Sequence, residues 1–439
     1  MMKHRISFLL AVILATVLCL SGYAYAEQND TTAVLSDDTV QKAIEMAEQF
    51  ALEYETASMT LSMPEFSYIQ RTDGTALLLE KLRYSIEFAR SFNTGIENLQ
   101  QISFNVLEME EKRGGLFLKV YASFQYHHTD APADMLSKHG TDYEILFDFT
   151  GESPIIVSLG TQSNDFNYFD ELISQITSSK SLSYAEAAKC VANQKISELP
   201  VTLEKWNEQV ALFDNKYTQT DWESEISEDT TEALRSTSVS FSRSAAVDYA
   251  TTFGDKYQNY IFKRMDADCT NFVSQCLWAG YGGTSGYSLS NTEALKARVA
   301  ANYRQTSDWY GRNYDSSSQY AAGPFMRVVE LWSHATGNTG NGPRATGYNN
   351  NNVWTSLSVV PRTGDVLQFY SSSKNRYNHS VIVSSTNNPS LSNMLDRIWV
   401  CQHSGDYVNR PLRATLEDNG GISSGKMRLM RPSSTTFSS

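Results

Sequence analysis

Apolar residues along the first half of the chain change period once. From Thr39 to about Tyr54, TVQKAIEMAEQFALEY places them three and four residues apart, and a second helical stretch runs from Leu77 to Phe92. Alternation follows at Ile102–Met109, Leu116–Tyr126, Tyr143–Phe149 and Ile155–Leu159, which predicts four strands. Turn residues separate the first two strands at Glu111–Gly115 and the last two at Thr150–Pro154. Helical spacing resumes from Tyr168 to about Phe213. The pattern predicts an α+β module of helices followed by an antiparallel sheet.

The second half reads differently. Residues 217–242 are polar, acidic and rich in Ser and Thr, and read as a linker. Ala245–Phe253 then predicts a helix. A second helix opens near Cys269, since Phe272, Val273, Cys276, Leu277 and Gly280 share one face. Pro361–Phe369 reads as a turn into a strand, and further strands are expected at His379–Ser384 and Arg397–His403. Pairing the last two with residue numbers summing to 782 sets His379 opposite His403 and Val381 opposite Cys401. A slip of one residue would put the two histidines on opposite faces.

The N-terminus adds a compartment. Lys3 and Arg5 precede an apolar run from Ile6 to Gly22, and Ala24-Tyr25-Ala26 offers a cleavage site before Glu27. The run is shorter than a membrane span needs, and Leu18 before Cys19 argues against lipidation. These features predict an exported protein with no span left after cleavage. About 413 residues would then remain, enough for two or three domains.

Charge divides the chain at the same place. Residues 27–240 hold 15 Lys+Arg and 36 Asp+Glu, whereas residues 241–439 hold 19 and 13. An acidic half joined to a mildly basic half predicts two modules, the first able to dock on the second. No basic cluster is dense enough to suggest a nucleic-acid partner. No metal-ligand spacing appears, and His127, His128 and His139 read as solvated. No cofactor is expected. The boundaries are therefore a signal peptide (1–26), an acidic module of unassigned role (27–216), the linker (217–242), a chemical domain (243–433) and a tail (434–439).

The chemistry centres on Asp268-Cys269-Thr270-Asn271. Cys269 sits in the first turn of its helix, where the dipole favours thiolate and would lower its pKa. A thiol nucleophile needs a base and a group to orient that base. His379 and His403 fill these roles in the expected register, and His334 reads as a surface residue. Asp268 reads first as a helix N-cap. Cys276 lies two turns below Cys269, within reach of Cys401 as a disulfide or as packed thiols. Thr284–Val360 is long and loop-rich, and its Trp309 and Trp354 are either substrate platforms or local packing.

The Asp268–Leu277 block, Gly364-Asp365-Val366, His379–Val383, Gln402-His403-Ser404 and Asn409–Leu412 together resemble the "putative amidase domain" family of exported bacterial proteins. That family is similar in layout to the CHAP and NlpC-like thiol hydrolases, which share a papain-like core. The resemblance covers about residues 245–431. It implies Cys269 as nucleophile, His379 as base and His403 as orienter, with Gln402 taking the orienter's place should a bulge turn the strand. No Gln precedes Cys269 at the papain-like spacing, so the oxyanion would rest on helix-start N–H groups and Asn271. The expectation is an exported amidase or endopeptidase acting on bacterial wall peptides through an acyl-enzyme. A secreted protein-cleaving protease and a non-catalytic wall-binding protein with paired cysteines are the alternatives.

Overall fold

In the computed structural model, residues 35–112, 114–151, 153–216, 238–318, 320–349, 359–386, 395–422 and 425–437 are described. The expected N-terminal helices are α1 (Asp37–Thr60) and α2 (Asp73–Ser91). Thr75 Oγ1 fixes the start of α2 by accepting the Thr72 N–H at 3.0 Å. Alternation produces β1 (Ile96–Lys112), β2 (Gly115–His128), β3 (Ser137–Asp148) and β4 (Ile155–Gly160). Next come α3 (Asn167–Lys180) and α4 (Tyr184–Lys216). His127 and His128 thus end a strand and His139 lies within one, rather than in a loop. The expected signal peptide, and residues 217–237 of the linker, lie outside the described residues.

The second half begins with α5 (Arg243–Phe253) and α6 (Cys269–Trp278). It continues through α7 (Thr292–Ala300), α8 (Gly323–Met326) and α9 (Val328–Gly337). Strands β5 (Arg344–Asn349), β6 (Val366–Ser371), β7 (Arg376–Ser385), β8 (Trp399–Gln402), β9 (Asp406–Pro411) and β10 (Met427–Ser433) follow, with α10 (Leu412–Asp418) between the last two. All ten strands form one sheet in the order β1-β2-β3-β9-β8-β7-β6-β10-β5, with β4 on β3. Every ladder is antiparallel, so the α+β class is as expected.

The sheet crosses the expected module boundary. β3 pairs with β9 through Lys138↔Val408, His139↔Tyr407 and Gly140↔Asp406. Residues 38–439 form one compact unit, and the other unit, residues 1–37, is described only from residue 35.

Two cores lie on opposite sides of β6–β8. On one side Phe272, Val273, Cys276 and Leu277 of α6 pack with Val366, Ile382, Cys401 and Met430. On the other, Leu367, Phe369, Val381, Val383 and Val400 join Leu412 and Leu416 of α10 and Tyr84, Phe169 and Val191 of the N-terminal helices. Burial on both faces explains why apolar alternation is a weak guide to register here. The register differs from the expected one by a single residue. Ile382 faces Cys401 and Val383 faces Val400, a sum of 783. Leu395–Arg397 forms a 3₁₀ turn rather than strand, so β8 starts only at Trp399. The slip separates the two histidines, as period-two geometry demands.

Candidate active site

Cys269 is the first helical residue of α6 and only 4 % exposed. Val328, Tyr377 and Tyr370 cover it. Helical periodicity sets it on the same sheet-facing side as Phe272 and Cys276. Its sulfur meets Thr270 Oγ1 at 3.8 Å and takes a backbone hydrogen bond from Ser380. Burial raises its pKa, and the Asp268 charge adds to this, against the opposing hydrogen bonds from Ser380 and Thr270. The expected lowering at a helix N-terminus is therefore overturned: desolvation of the thiolate outweighs the dipole.

Asp268 does not cap α6. Its carboxylate makes no hydrogen bond to the first-turn N–H groups. Instead Oδ1 accepts the Met265 N–H at 2.8 Å and Asn271 Nδ2 at 2.7 Å, while Oδ2 lies 2.6 Å from His403 Nδ1. His403 Nε2 stands 3.0 Å from the Phe253 carbonyl oxygen, and the ring stacks on Phe272 at 3.9 Å. Both ring nitrogens thus face oxygen acceptors, one a carboxylate and one a backbone carbonyl. A buried imidazole–carboxylate pair thus lies on the thiol's side of the sheet.

His379 lies on the other side. It pairs with Phe369, whose ring it meets at 6.3 Å, beside a bulge between Phe369 and Tyr370. Neither ring nitrogen makes a hydrogen bond. Burial pushes its pKa down to about 4, and the nearby Gln402 amide offsets this in part. The expected His379–His403 pairing is therefore corrected: Gln402 shares the face of His379, and His403 shares that of Cys269.

The remaining expected residues sort by burial. Asn271 commits Nδ2 to Lys263 O at 3.0 Å and to Asp268, so it is not aimed at an oxyanion. Gln402, the expected alternative orienter, is fully buried, donates to Asp165 Oδ1 at 3.3 Å and Gly405 O at 3.1 Å, and lies beside His379 rather than at the thiol. Trp309 is fully buried and packs on Phe325 at 5.0 Å, so it is core and not a platform. Trp354 lies outside the described residues. Cys276 and Cys401 are buried free thiols in one core, so of the two expected arrangements the packed thiols are found and the disulfide is not. His334 is half-buried rather than on the surface.

Several residues that matter here are invisible to sequence spacing. Arg264 holds Asp406 through both carboxylate oxygens, at 2.8 and 3.0 Å. Burial opposes ionisation of Asp406, yet the Arg264 guanidinium holds its pKa below the usual range. Ser404-Gly405-Asp406, a turn signature after a strand, is the one signal that could have flagged this region. A cleft of about 450 Å³ borders it, lined by Lys263, Arg264, Met265, Asp266 and Ser404, with Asp142 and Gln162 from the N-terminal half. A more apolar cavity of about 210 Å³ lies between α2 and β9, among Tyr54, Phe88, Tyr143 and Arg410. Neither cavity is lined by Cys269 or His403, but the polar cleft is lined by Met265 and Ser404, both hydrogen-bonded to Asp268. Among the described residues no His, Cys, Asp and Glu group could hold a metal.

Residues 240–424 match the family model described as "Putative amidase domain". The match supports an amidase-family domain in the C-terminal half. The match spans α5 to α10 and so includes Asp268, Cys269, His379 and His403 in one domain. No curated protein and no solved structure matches the chain. The amidase domain supports hydrolysis of amides as the activity class.

Proposed function

We propose that the amidase domain is a thiol hydrolase in which Cys269 is the nucleophile and the Asp268–His403 pair supplies charge and the proton. The observation that carries this reading is the placement of thiol and clamped imidazole on the same side of the sheet, at the start of α6. The working form carries a thiolate on Cys269, formed above its raised pKa, and a protonated His403 on the same side of the sheet. The thiolate attacks the amide carbonyl and forms a C–S bond, with the first-turn N–H groups of α6 facing the oxyanion. The C–N bond breaks as the Nε2 proton, parked on the Phe253 carbonyl, passes to the leaving amine. Neutral His403 then takes a proton from water, whose oxygen attacks the thioester and restores the thiolate.

A second reading keeps His379 as the base. It is favoured by two ring nitrogens without hydrogen bonds, next to Ser380, which touches the thiol. His379→Gln and His403→Gln separate the readings, since only the working imidazole should carry the pH-rate profile.

The substrate we infer is the peptide of the bacterial cell wall, with export by the N-terminal segment and a papain-like relationship as parts of the same reading. Support comes from the signal-like N-terminus, the amidase match and the polar cleft. Unpaired cysteines speak against the wall-binding alternative with bridged cysteines. Purified sacculi and casein should be compared as substrates. Soluble peptide release from sacculi alone is expected, and cleavage of casein alone would move the assignment to a general protease.

A further inference from the structure

We propose that Tyr121, from the N-terminal half, is a positioning residue for the Asp268–His403 pair, so that the two halves make one catalytic unit. The proposal rests on the thiol-hydrolase reading with His403. Tyr121 lies on β2, and its hydroxyl is 2.7 Å from Asp406 Oδ2 and 3.0 Å from the Asp255 carbonyl oxygen. Both neighbours are acceptors, so the hydroxyl is a donor at this position, and burial keeps it protonated. Asp406 Oδ1 in turn accepts the Ser404 N–H at 3.0 Å. Ser404 Oγ then accepts the Asp268 N–H at 3.1 Å. Tyr121 is thereby two residues removed from the backbone that precedes the thiol and from the ring of His403.

The turn that carries His403 needs such support. Ser404 has φ 67° and Gly405 has φ 90°, left-handed values that a non-glycine residue keeps only when its surroundings hold it. Much of the holding comes from the N-terminal half. Asn164 N–H donates to the Ser404 carbonyl at 2.9 Å. A Cβ at Gly405 would stand 2.6 Å from both Asp165 Oδ2 and Ser163 Oγ. Gln402, just before His403, donates to Asp165. The pairing of β3 with β9 then fixes the far end of the turn at Asp406. Arg264 is the only strong partner of Asp406 that comes from a charged side chain of the amidase domain among the described contacts.

The test is Tyr121→Phe in the full mature chain, which removes one O–H and no packing volume. In proton NMR the low-field His403 Nδ1–H signal is expected to exchange at least about tenfold faster than in wild type, as an uncoupled hydrogen-bond network would. On solubilised wall peptides kcat should fall about tenfold with KM unchanged, and the acid limb of the pH-rate profile should move. Gly405→Ala, which disturbs the same turn from the Asp165 side, should give the same His403 signature. A tyrosine that merely glues the halves together would lower the melting temperature and leave the His403 signal and pH profile as in wild type. That result in Tyr121→Phe overturns the proposal. The NMR readout needs no turnover, so full activity of Cys269→Ala would sink the thiol reading while the positioning claim is still decided.

Discussion

Asp268 Oδ2 and His403 Nδ1 lie 2.6 Å apart, both buried, although 135 residues separate them in sequence. This contact ties the start of the cysteine helix to the turn between β8 and β9. Breaking one member of a buried pair leaves an uncompensated charge, at a loss of about 3–5 kcal/mol. Asp268→Ala and His403→Ala should each unfold in urea at clearly lower midpoints. The double variant should lose less than the sum, and strict additivity would show that the two groups are not coupled.

Thiol reactivity should follow burial. Cys190 is partly exposed, Cys269 is 4 % exposed, and Cys276 and Cys401 are fully buried. Iodoacetamide followed by mass spectrometry should label Cys190 first, Cys269 second, and the two core thiols only on unfolding. Labelling of Cys269 should accelerate above neutral pH, because burial raises its pKa. A Cys269 that reacts fastest near pH 6 would mean that its thiolate is stabilised in a way the structure does not contain.

Acid should destabilise the fold through His379. Burial lowers its pKa to about 4, below the ordinary value of about 6.5 for an unfolded histidine. Above pH 6.5 the residue is neutral in both states and the full stability is present. Between pH 6.5 and 4 the unfolded chain binds the proton first, so stability falls as pH falls, by on the order of 3 kcal/mol. His379→Gln should flatten this part of the stability profile. An unchanged slope would mean that His379 is not held neutral.

The sequence made the elements legible and the partners of the site only in part. Strands at 116–126 and 143–149 and the helix at Cys269 are where apolar periodicity places them. The register of β7 on β8 was not legible, because Val381 and Val383 on one face and Ile382 on the other are all buried. Period-two alternation carries no signal when helices cover both sides. Asp268 as a cap was a local reading, defeated by a long-range imidazole. The junction of β3 with β9 was equally hidden, since the charge difference between halves does not specify a strand pairing.

Trp309→Ala tests the corrected role of that residue. Removing a fully buried indole that packs on Phe325 should destabilise the chain by about 3–5 kcal/mol. Binding of sacculi by the folded fraction should stay at the wild-type level. Weaker binding at unchanged stability would restore the platform role.

Amide hydrolysis in this mechanism rests on Cys269. The most direct measurement compares wild type with Cys269→Ala on purified sacculi, following release of soluble peptide and new amino groups. Release by wild type, and none by Cys269→Ala at equal folded concentration, is the expected result. Release by Cys269→Ala at the wild-type rate would contradict the account.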